Sequence, residues 1–571
     1  MLLSLAEQVA AGQKLRVPAI PAPRLSLVLM GCLIFAYLLP GLVGHDPWKA
    51  DEAYVFGSVY QIVQSGDWVI PRVAGEPFME KPPLYYLAAA TTAKLTSAWL
   101  PLHDGARLAS GLFTTITLLL AAWAARLTWG AGYGRLAILL LMGSPGLLIH
   151  SHMMLSDLAL MAGFAVALTG LIACVQQRRF AGLLLGTGVG CGFLAKGLIA
   201  PGVIGLAGLL LPTLCQGWRT RAYGRQLVIA AAAAAPWLLI WPVALYLRSP
   251  ELFATWFWDN NIGRFLGFSV ATLGAEHPPG FWWRTYPWFL FPGWLFAMVM
   301  FYRRRQAALT LPAVQASLLL LVLLLLLLGV SASARANYVL PLLVPVAVIA
   351  AGGVERAPRG LDWMLAGMGW LLGGALFLLG WGVWASLLAT QAAPARLALD
   401  RWLPEPFALP FQPLAFAAAL ALSGFCLALM VGGWRKPGRG LVIWSAALTL
   451  GWGVVATLWL PWLDAAKSYR SMFVDMSAAL PPKASCIASE GFGESERAML
   501  HYVLGIVTER LEVKPAADCP VLLVQGTIYN PSTPLAGGWR LIWQGHRPGD
   551  QRERFEFSCG PLVEPRLIPC P

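Results

Sequence analysis

Between Ala313 and Val330 the chain is an almost unbroken run of leucine with no charged residue. A run of roughly 18 or more apolar residues is long enough to cross a bilayer core as a helix. Inside lipid the backbone must satisfy its own hydrogen bonds, which favours helices over open strands. Similar runs recur along the chain. Hydrophobic residues make up 58% of the 571 residues and charged residues 12%, too little charge to cover the surface of a water-soluble fold. Many of the 26 Trp fall near the ends of the apolar runs, where interfacial anchors belong.

The formal charge of +13 raises the question of nucleic acid. The Arg and Lys fall mainly in short loops between apolar runs, so orientation in a membrane explains them better and no nucleic-acid partner is expected. Lys14, Arg16 and Arg24 precede an apolar span from about Leu25 to Val43. No small-residue cleavage site follows it, which predicts a retained first helix with its basic side cytoplasmic. Further basic clusters fall on every second loop: Arg126 with Arg135, Arg178 with Arg179, Arg219 to Arg225, Arg303 to Arg305, Arg356 with Arg359, and Arg435 to Arg439. Thirteen helices place them all on one side, at about 25–43, 107–126, 135–150, 157–175, 181–195, 198–215, 226–247, 281–302, 311–330, 338–354, 361–386, 413–433 and 440–463.

The opposite side receives the long loops 45–106 and 249–280 and everything after Leu463. The expectation is a membrane domain over 1–463 and a soluble domain over 464–571, facing away from the cytoplasm. Strands are expected at Pro520 to Gln525 and Gly538 to Gln544, within a small α/β fold. Cys32, Cys174, Cys191, Cys215 and Cys426 lie in or beside apolar spans, where packing accounts for them. Cys486, Cys519, Cys559 and Cys570 lie in the terminal domain, where an oxidising compartment would allow two disulfides in any of three pairings.

Polar chemistry collects on that same side. The first long loop carries Asp51, Glu52 and Tyr54, then Ser65-Gly66-Asp67-Trp68, then Glu80-Lys81-Pro82-Pro83. Asp157 and Lys196 sit in or beside apolar spans, where an ionisable group costs ~2.5–3.5 kcal/mol at mid-helix and usually carries function or pairs internally. Their shared side with Asp51 and Lys81 points to a single anion-binding site at the membrane surface.

These residues carry a resemblance. The Asp51-Glu52 pair, the Ser65 to Trp68 stretch and Glu80-Lys81-Pro82-Pro83, at these spacings, resemble the aminoarabinose transferases that modify lipid A. That family belongs to the GT-C glycosyltransferases, together with the protein O-mannosyltransferases. Asp157, the Gly192 to Gly197 stretch and Tyr338-Val-Leu340-Pro341 extend the match. Tyr54 stands where the family usually has Arg, and Arg335-Ala-Asn337 where it usually has Lys-Leu-Pro. The resemblance implies an all-α polytopic membrane domain of GT-C type with about 13 transmembrane helices, plus a small C-terminal α/β soluble domain in the bacterial periplasm, the whole a multi-pass inner-membrane protein. It implies inverting transfer of 4-amino-4-deoxy-L-arabinose from undecaprenyl phosphate to a lipid A phosphate.

In that reading Lys81 and Arg264 neutralise the lipid phosphate that leaves. Asp51 is the general base or orienting carboxylate and Asp157 the second carboxylate. Glu52, Tyr54, Lys196, Arg335 and Tyr338 are the remaining substrate contacts. Glu80 and His277 are candidate ligands for a divalent ion, zinc or magnesium, although no cofactor is required by the chemistry. Another sugar, or a protein or glycan acceptor, stays open. A lipid-linked sugar flippase is the rival from another class, disfavoured because no paired halves with matching broken helices are visible.

Overall fold

The computed structural model describes residues 25–269, 277–388, 410–432, 438–481, 486–515, 519–527, 539–550 and 552–560, with backbone alone at 306–309. Lys14, Arg16, Arg24, Arg435, Lys436 and Cys570 lie outside them. Each of the thirteen expected segments contains helix. Among the described residues, eight helices are long and apolar enough to cross a membrane, among them Leu102–Trp129, Ser156–Val175, Arg221–Arg248 and Arg439–Leu458. Four shorter apolar helices accompany them: Leu27–Leu38, Tyr133–Met142, Ala181–Lys196 and Ile199–Leu214.

Of the expected spans that are divided, two show clear local reasons. The segment at 135–150 becomes Tyr133–Met142 and Pro145–His150, because Ser144 starts a new helix by accepting from the Leu147 amide at 3.1 Å, with Pro145 at its first position. The segment at 281–302 becomes Phe281–Phe289 and Gly293–Thr310, separated at Pro292, which has no N–H to continue the ladder. Ser156–Val175 and Arg439–Leu458 are almost wholly buried by neighbouring helices. Arg359–Leu388 and Arg221–Arg248 instead turn Leu371, Leu378, Val228 and Leu247 outward, as helices against lipid do.

The pairing that matters most for the site is an antiparallel one. Ser156–Val175 and Ala181–Lys196 meet along glycines: a Cβ on Gly163 would stand 2.7 Å from the Gly192 amide nitrogen, and one on Gly170 would stand 2.5 Å from that of Leu185. Small residues let helix backbones approach this closely in a membrane. The consequence is that Asp157, at the start of one helix, meets Lys196, at the end of the other.

After the last long helix, Leu460–Lys467 crosses the position expected to divide the domains, and Arg470–Ala479 follows. A five-stranded mixed sheet then forms from β3 (Ile487–Glu490), β4 (Glu509–Arg510), β5 (Val521–Thr527), β6 (Arg540–Gly545) and β7 (Glu553–Cys559), in the order β4-β3-β5-β7-β6. β3 runs parallel to β4 and β5, and β7 antiparallel to β5 and β6. β5 and β6 overlap the two expected strands, of which Gly538 lies outside the described residues. Cys486 and Cys519 are joined by a disulfide at the entries to β3 and β5, and Cys559 is disulfide-bonded too. β1 (Arg72–Val73) and β2 (Glu76–Pro77) form a small hairpin in the first loop.

The sheet region is locked to that first loop. Arg470 grips Asp46 through two bonds of 2.8 and 2.6 Å, and Arg497 and Arg510 reach Glu76 at 2.8 and 3.0 Å. Lys49 pairs with Glu496 at 2.8 Å and with Glu553. Phe56 meets Tyr502 edge to face, and buried apolar side chains run without a break from the membrane helices to Met499, Phe555 and Phe557.

Candidate active site

The first loop folds back over the helix ends through two local devices. A helix runs Asp51–Ser65 and ends at Gly66, whose φ of 69° only glycine adopts freely. Further on, Pro82 and Pro83 lead into the Leu84–Thr96 helix and restrict the backbone just after Lys81. The Lys81 side chain is thereby turned inward and is 8% exposed.

From Lys81 a chain of charges and hydrogen bonds spans the site. Its ammonium donates to the Tyr54 hydroxyl at 3.2 Å, and that hydroxyl donates to Asp51 Oδ1 at 2.6 Å. Arg335 reaches the same Asp51 oxygen at 3.1 Å. On the other side of Lys81, Glu80 Oε2 stands 3.7 Å away, and Glu80 Oε1 takes the Arg264 guanidinium at 2.7 Å. Arg264 therefore pairs with Glu80 and not with Asp259, the neighbour in its own loop.

The second group comes from the glycine-packed helices. Lys196 forms a salt bridge with Asp157 Oδ1, and Asn337 donates to Asp157 Oδ2 at 3.0 Å. The Lys196 ammonium lies 3.6 Å from the centre of the Tyr338 ring, a cation–π contact. Just beyond it, Gly197 accepts a close approach that no other residue would. A Cβ there would fall 1.8 Å from Asn261 Oδ1. Asn261 sits on the π-helix Thr255–Gly263, a form concentrated at functional sites, and its side chain bridges the Trp256 carbonyl and the Leu198 amide.

Both groups open on one cavity of about 360 Å³. Glu80, Lys81, Lys196, Arg264 and Tyr338 line its polar part. Apolar residues such as Leu160, Phe265, Leu324 and Leu328 line most of the rest, with Asn260, Asn261, Ser331 and Ser333 among them. An anion holder thus continues into an apolar slot, the shape expected for a lipid phosphate.

The loop carboxylates are held ionised. Burial pushes Asp51 up, but Lys81, the Tyr54 hydrogen bond and Arg335 outweigh it and leave its carboxyl below the usual range. Glu80 is likewise lowered, with Lys81 and Arg264 prevailing over burial. For Lys81 burial pulls the pKa down, yet Glu80, Tyr86, Asp157 and Asp51 raise it above its ordinary value. The site therefore keeps a permanent cation in front of the cavity.

One expected contact lies inside the fold, and the two expected metal ligands have other partners. Glu52 is 1% exposed, and its carboxylate takes Arg107 Nε at 2.7 Å and the Trp48 amide at 3.2 Å, so it is consumed inside the fold and is no substrate contact. Glu80 faces two cations, and His277 Nδ1 meets the Ser331 carbonyl at 3.0 Å. Among the described residues no group of three or more His, Cys, Asp or Glu is placed to hold a metal ion.

Sequence reasoning passed over Asn337, Asn260, Asn261, Tyr86 and Glu494. The two asparagines beside Arg264 were legible as polar residues in an aromatic run. Tyr86 is fully buried with no partner for its hydroxyl, close enough to Lys81 to influence it. Asn337 stood in the Arg335-Ala-Asn337 stretch beside Tyr338, whereas Glu494 had no local signal, since it reaches the site from a distant part of the chain.

A scan of protein-family models finds no match. Curated proteins do match. The chain is 31% identical over 455 residues, 76% of this chain and 75% of the relative, to an undecaprenyl phosphate-α-4-amino-4-deoxy-L-arabinose arabinosyl transferase of Pseudomonas aeruginosa strain UCBPP-PA14. It is 26% identical over 461 residues, 76% of this chain and 71% of the relative, to the transferase of that name in Pectobacterium carotovorum. Among solved structures, ArnT from Cupriavidus metallidurans bound to undecaprenyl phosphate superposes with a TM-score of 0.69 at 16% identity, over 93% of this chain and 97% of that one. Its apo state gives 0.65 at 18% identity over the same shares.

Proposed function

The chain belongs to the undecaprenyl phosphate-α-4-amino-4-deoxy-L-arabinose arabinosyl transferase family, and from that premise we propose that it moves 4-amino-4-deoxy-L-arabinose from undecaprenyl phosphate to a phosphate of lipid A. It is a polyprenyl-phosphate-sugar-dependent glycosyltransferase of the inner membrane, with multiple apolar helices. In this reading the site and the C-terminal region face the periplasm, an orientation supported by the basic residues on alternate loops. The observation that carries the proposal is the cavity itself, cationic beside Lys81 and Arg264 and apolar beyond.

The chemistry follows from what each group can do. An acceptor phosphate oxygen attacks the anomeric carbon from the face opposite the bond to undecaprenyl phosphate, and a new carbon–oxygen bond forms with inversion. The old carbon–oxygen bond breaks, and its electron pair stays with undecaprenyl phosphate, which gains a negative charge. Lys81 and Arg264 stand where that charge grows and need not reorganise to meet it. A phosphate acceptor is already anionic near neutral pH, so no proton has to be removed. Asp51, held ionised by its partners, orients the acceptor or the sugar. The leucine-lined part of the cavity receives the prenyl chain and keeps water from the reacting carbon.

The test is expression in a Gram-negative host that makes the donor but lacks its own transferase, followed by mass spectrometry of lipid A. The expected result is a pentosamine increment on phosphate, absent with Asp51→Ala. A different increment would keep the enzyme class and replace the sugar. No increment with donor present would overturn the lipid A acceptor.

A further inference from the structure

One carboxylate near the site has no hydrogen-bond or salt-bridge partner among the described residues. Asp51 is engaged by Tyr54 and Arg335, Glu80 by Arg264, and Asp157 by Lys196 and Asn337. Glu494, in the first turn of the Glu494–Leu504 helix of the C-terminal region, is exposed and makes no hydrogen bond or salt bridge among the described residues. Its place is fixed nonetheless. The next residue, Ser495, donates to the Ala50 carbonyl at 2.8 Å, directly before Asp51, and Arg497 reaches Glu76 at 2.8 Å. The helix packs on the Asp51 helix so tightly that a Cβ on Gly57 would stand 2.6 Å from that of Ala498. Glu494 is thereby held within electrostatic reach of Glu80, Lys81 and Arg264.

We propose that Glu494 receives the ammonium group of the donor sugar and sets the preference for a cationic sugar. This rests on the aminosugar reading above and assigns its recognition to a residue outside the membrane helices. Charge counting supports it. The site holds four cations, Lys81, Lys196, Arg264 and Arg335, against three engaged carboxylates, Asp51, Glu80 and Asp157. That surplus of one positive charge suits a lipid phosphate. A phosphate-linked aminosugar also carries a positive end, and Glu494 is the carboxylate free to meet it.

A helix-terminal role explains Glu494 less well. An acidic residue in the first turn does favour the helix dipole. Glu496 already fills that place in the same turn, tied to Lys49 and Tyr469. Although the side chain is open to solvent, desolvation by the surrounding protein and the nearby Glu80 push the Glu494 carboxyl up, and an incoming ammonium would oppose that shift.

The full chain is reconstituted in liposomes with lipid A and given two undecaprenyl-phosphate donors, the free aminosugar and its N-formyl derivative. Binding of undecaprenyl phosphate, common to both, reports the fold of each preparation. With Glu494→Gln the KM for the aminosugar donor rises about tenfold, as expected for loss of one charge-assisted contact, while kcat and the KM for the N-formyl donor hold. Glu494→Asp retains the preference. A Glu494→Gln enzyme with wild-type KM for both donors overturns the proposal and leaves the transferase reading intact. A wild type that transfers neither sugar overturns the reading beneath it.

Discussion

Asp51 and Glu52 are neighbours in the chain and belong to different networks. Asp51 is tied to Tyr54 and Arg335 beside the cavity, and Glu52 is tied to Arg107 at 2.7 Å inside the fold. Arg107 is fully buried and also bonds Asp104 at 2.9 Å and the carbonyls of Leu42 and His45. Removing one partner of a buried pair leaves an uncompensated charge and costs about 3–5 kcal/mol. Glu52→Gln is expected to lower thermal stability in detergent sharply. Asp51→Ala is expected to unfold at nearly the wild-type temperature and to lose transfer. The two losses, read side by side by thermal denaturation and lipid A mass spectrometry, would exchange places if the assignment were wrong.

That pair also marks what the sequence could and could not tell. Ionisable residues beside apolar spans are costly, which is why Asp157 and Lys196 stood out, while Lys81 stood out through the Glu80-Lys81-Pro82-Pro83 motif of the first loop. Asp51 and Glu52 looked alike, because a one-residue step along a helix changes the direction a side chain faces and the motif does not say which direction is inward. The apolar runs gave the helices, since length and hydropathy are local properties. The parallel pairing of β3 with β5, and the arrival of Glu494 at the site, depend on contacts between distant segments and leave no local pattern. β7 was missed although Arg554 to Cys559 alternates polar and apolar residues.

The cations before the cavity should act on the chemical step. Lys81→Ala removes the buried ammonium between Glu80 and Tyr54. A preorganised group that meets growing charge is worth roughly 10²–10³ in kcat. Lys81→Ala is expected to lose that factor in a liposome transfer assay. Arg264→Ala should show a smaller loss, because Lys81 remains to face Glu80 and the phosphate. Equal activity of Lys81→Ala and wild type would remove Lys81 from the mechanism.

Helix packing is expected to control the second ion pair. Gly163→Val drives side-chain atoms into the backbone of Gly192, and overpacking of this kind costs about 1–3 kcal/mol. It should also part Asp157 from Lys196 and reduce transfer. Gly31 has nothing within 4 Å of an added Cβ, so Gly31→Ala serves as the control with neither effect. Matching melting temperatures for the two variants would show that the close approach is dispensable.

The disulfide offers a test of sidedness as well as stability. Cys486 and Cys519 close a segment with a sequence separation of 33 at the entries to β3 and β5. Closing a loop of that size stabilises by about 2–4 kcal/mol. Replacing both by Ser is expected to lower the unfolding temperature of the C-terminal region. In intact spheroplasts, reduction should make these two thiols reactive to a membrane-impermeant maleimide. Labelling only after the membrane is broken would place the region on the cytoplasmic side and reverse the proposed orientation.

Asp464 links the two regions to pH. Its Oδ1 accepts from the Asp46 amide and from Trp48 Nε1, both at 2.9 Å. Burial first, and then the neighbouring Asp46, push its carboxyl up to about 6, with the Trp48 hydrogen bond opposing them. The unfolded chain would titrate near 3.9. Between those values the folded state binds more protons than the unfolded one, so this group makes stability fall as pH rises from about 4 through 6. Above pH 6 the penalty is complete, and below about 4 it is gone. Asp464→Asn keeps the accepting oxygen and removes the charge beside Asp46. The variant should therefore be at least as stable as wild type at pH 7.5, and the difference between the two should shrink as the pH is lowered to 4. Denaturant melts across that range measure it directly. A difference independent of pH would mean that Asp464 is not the group that titrates.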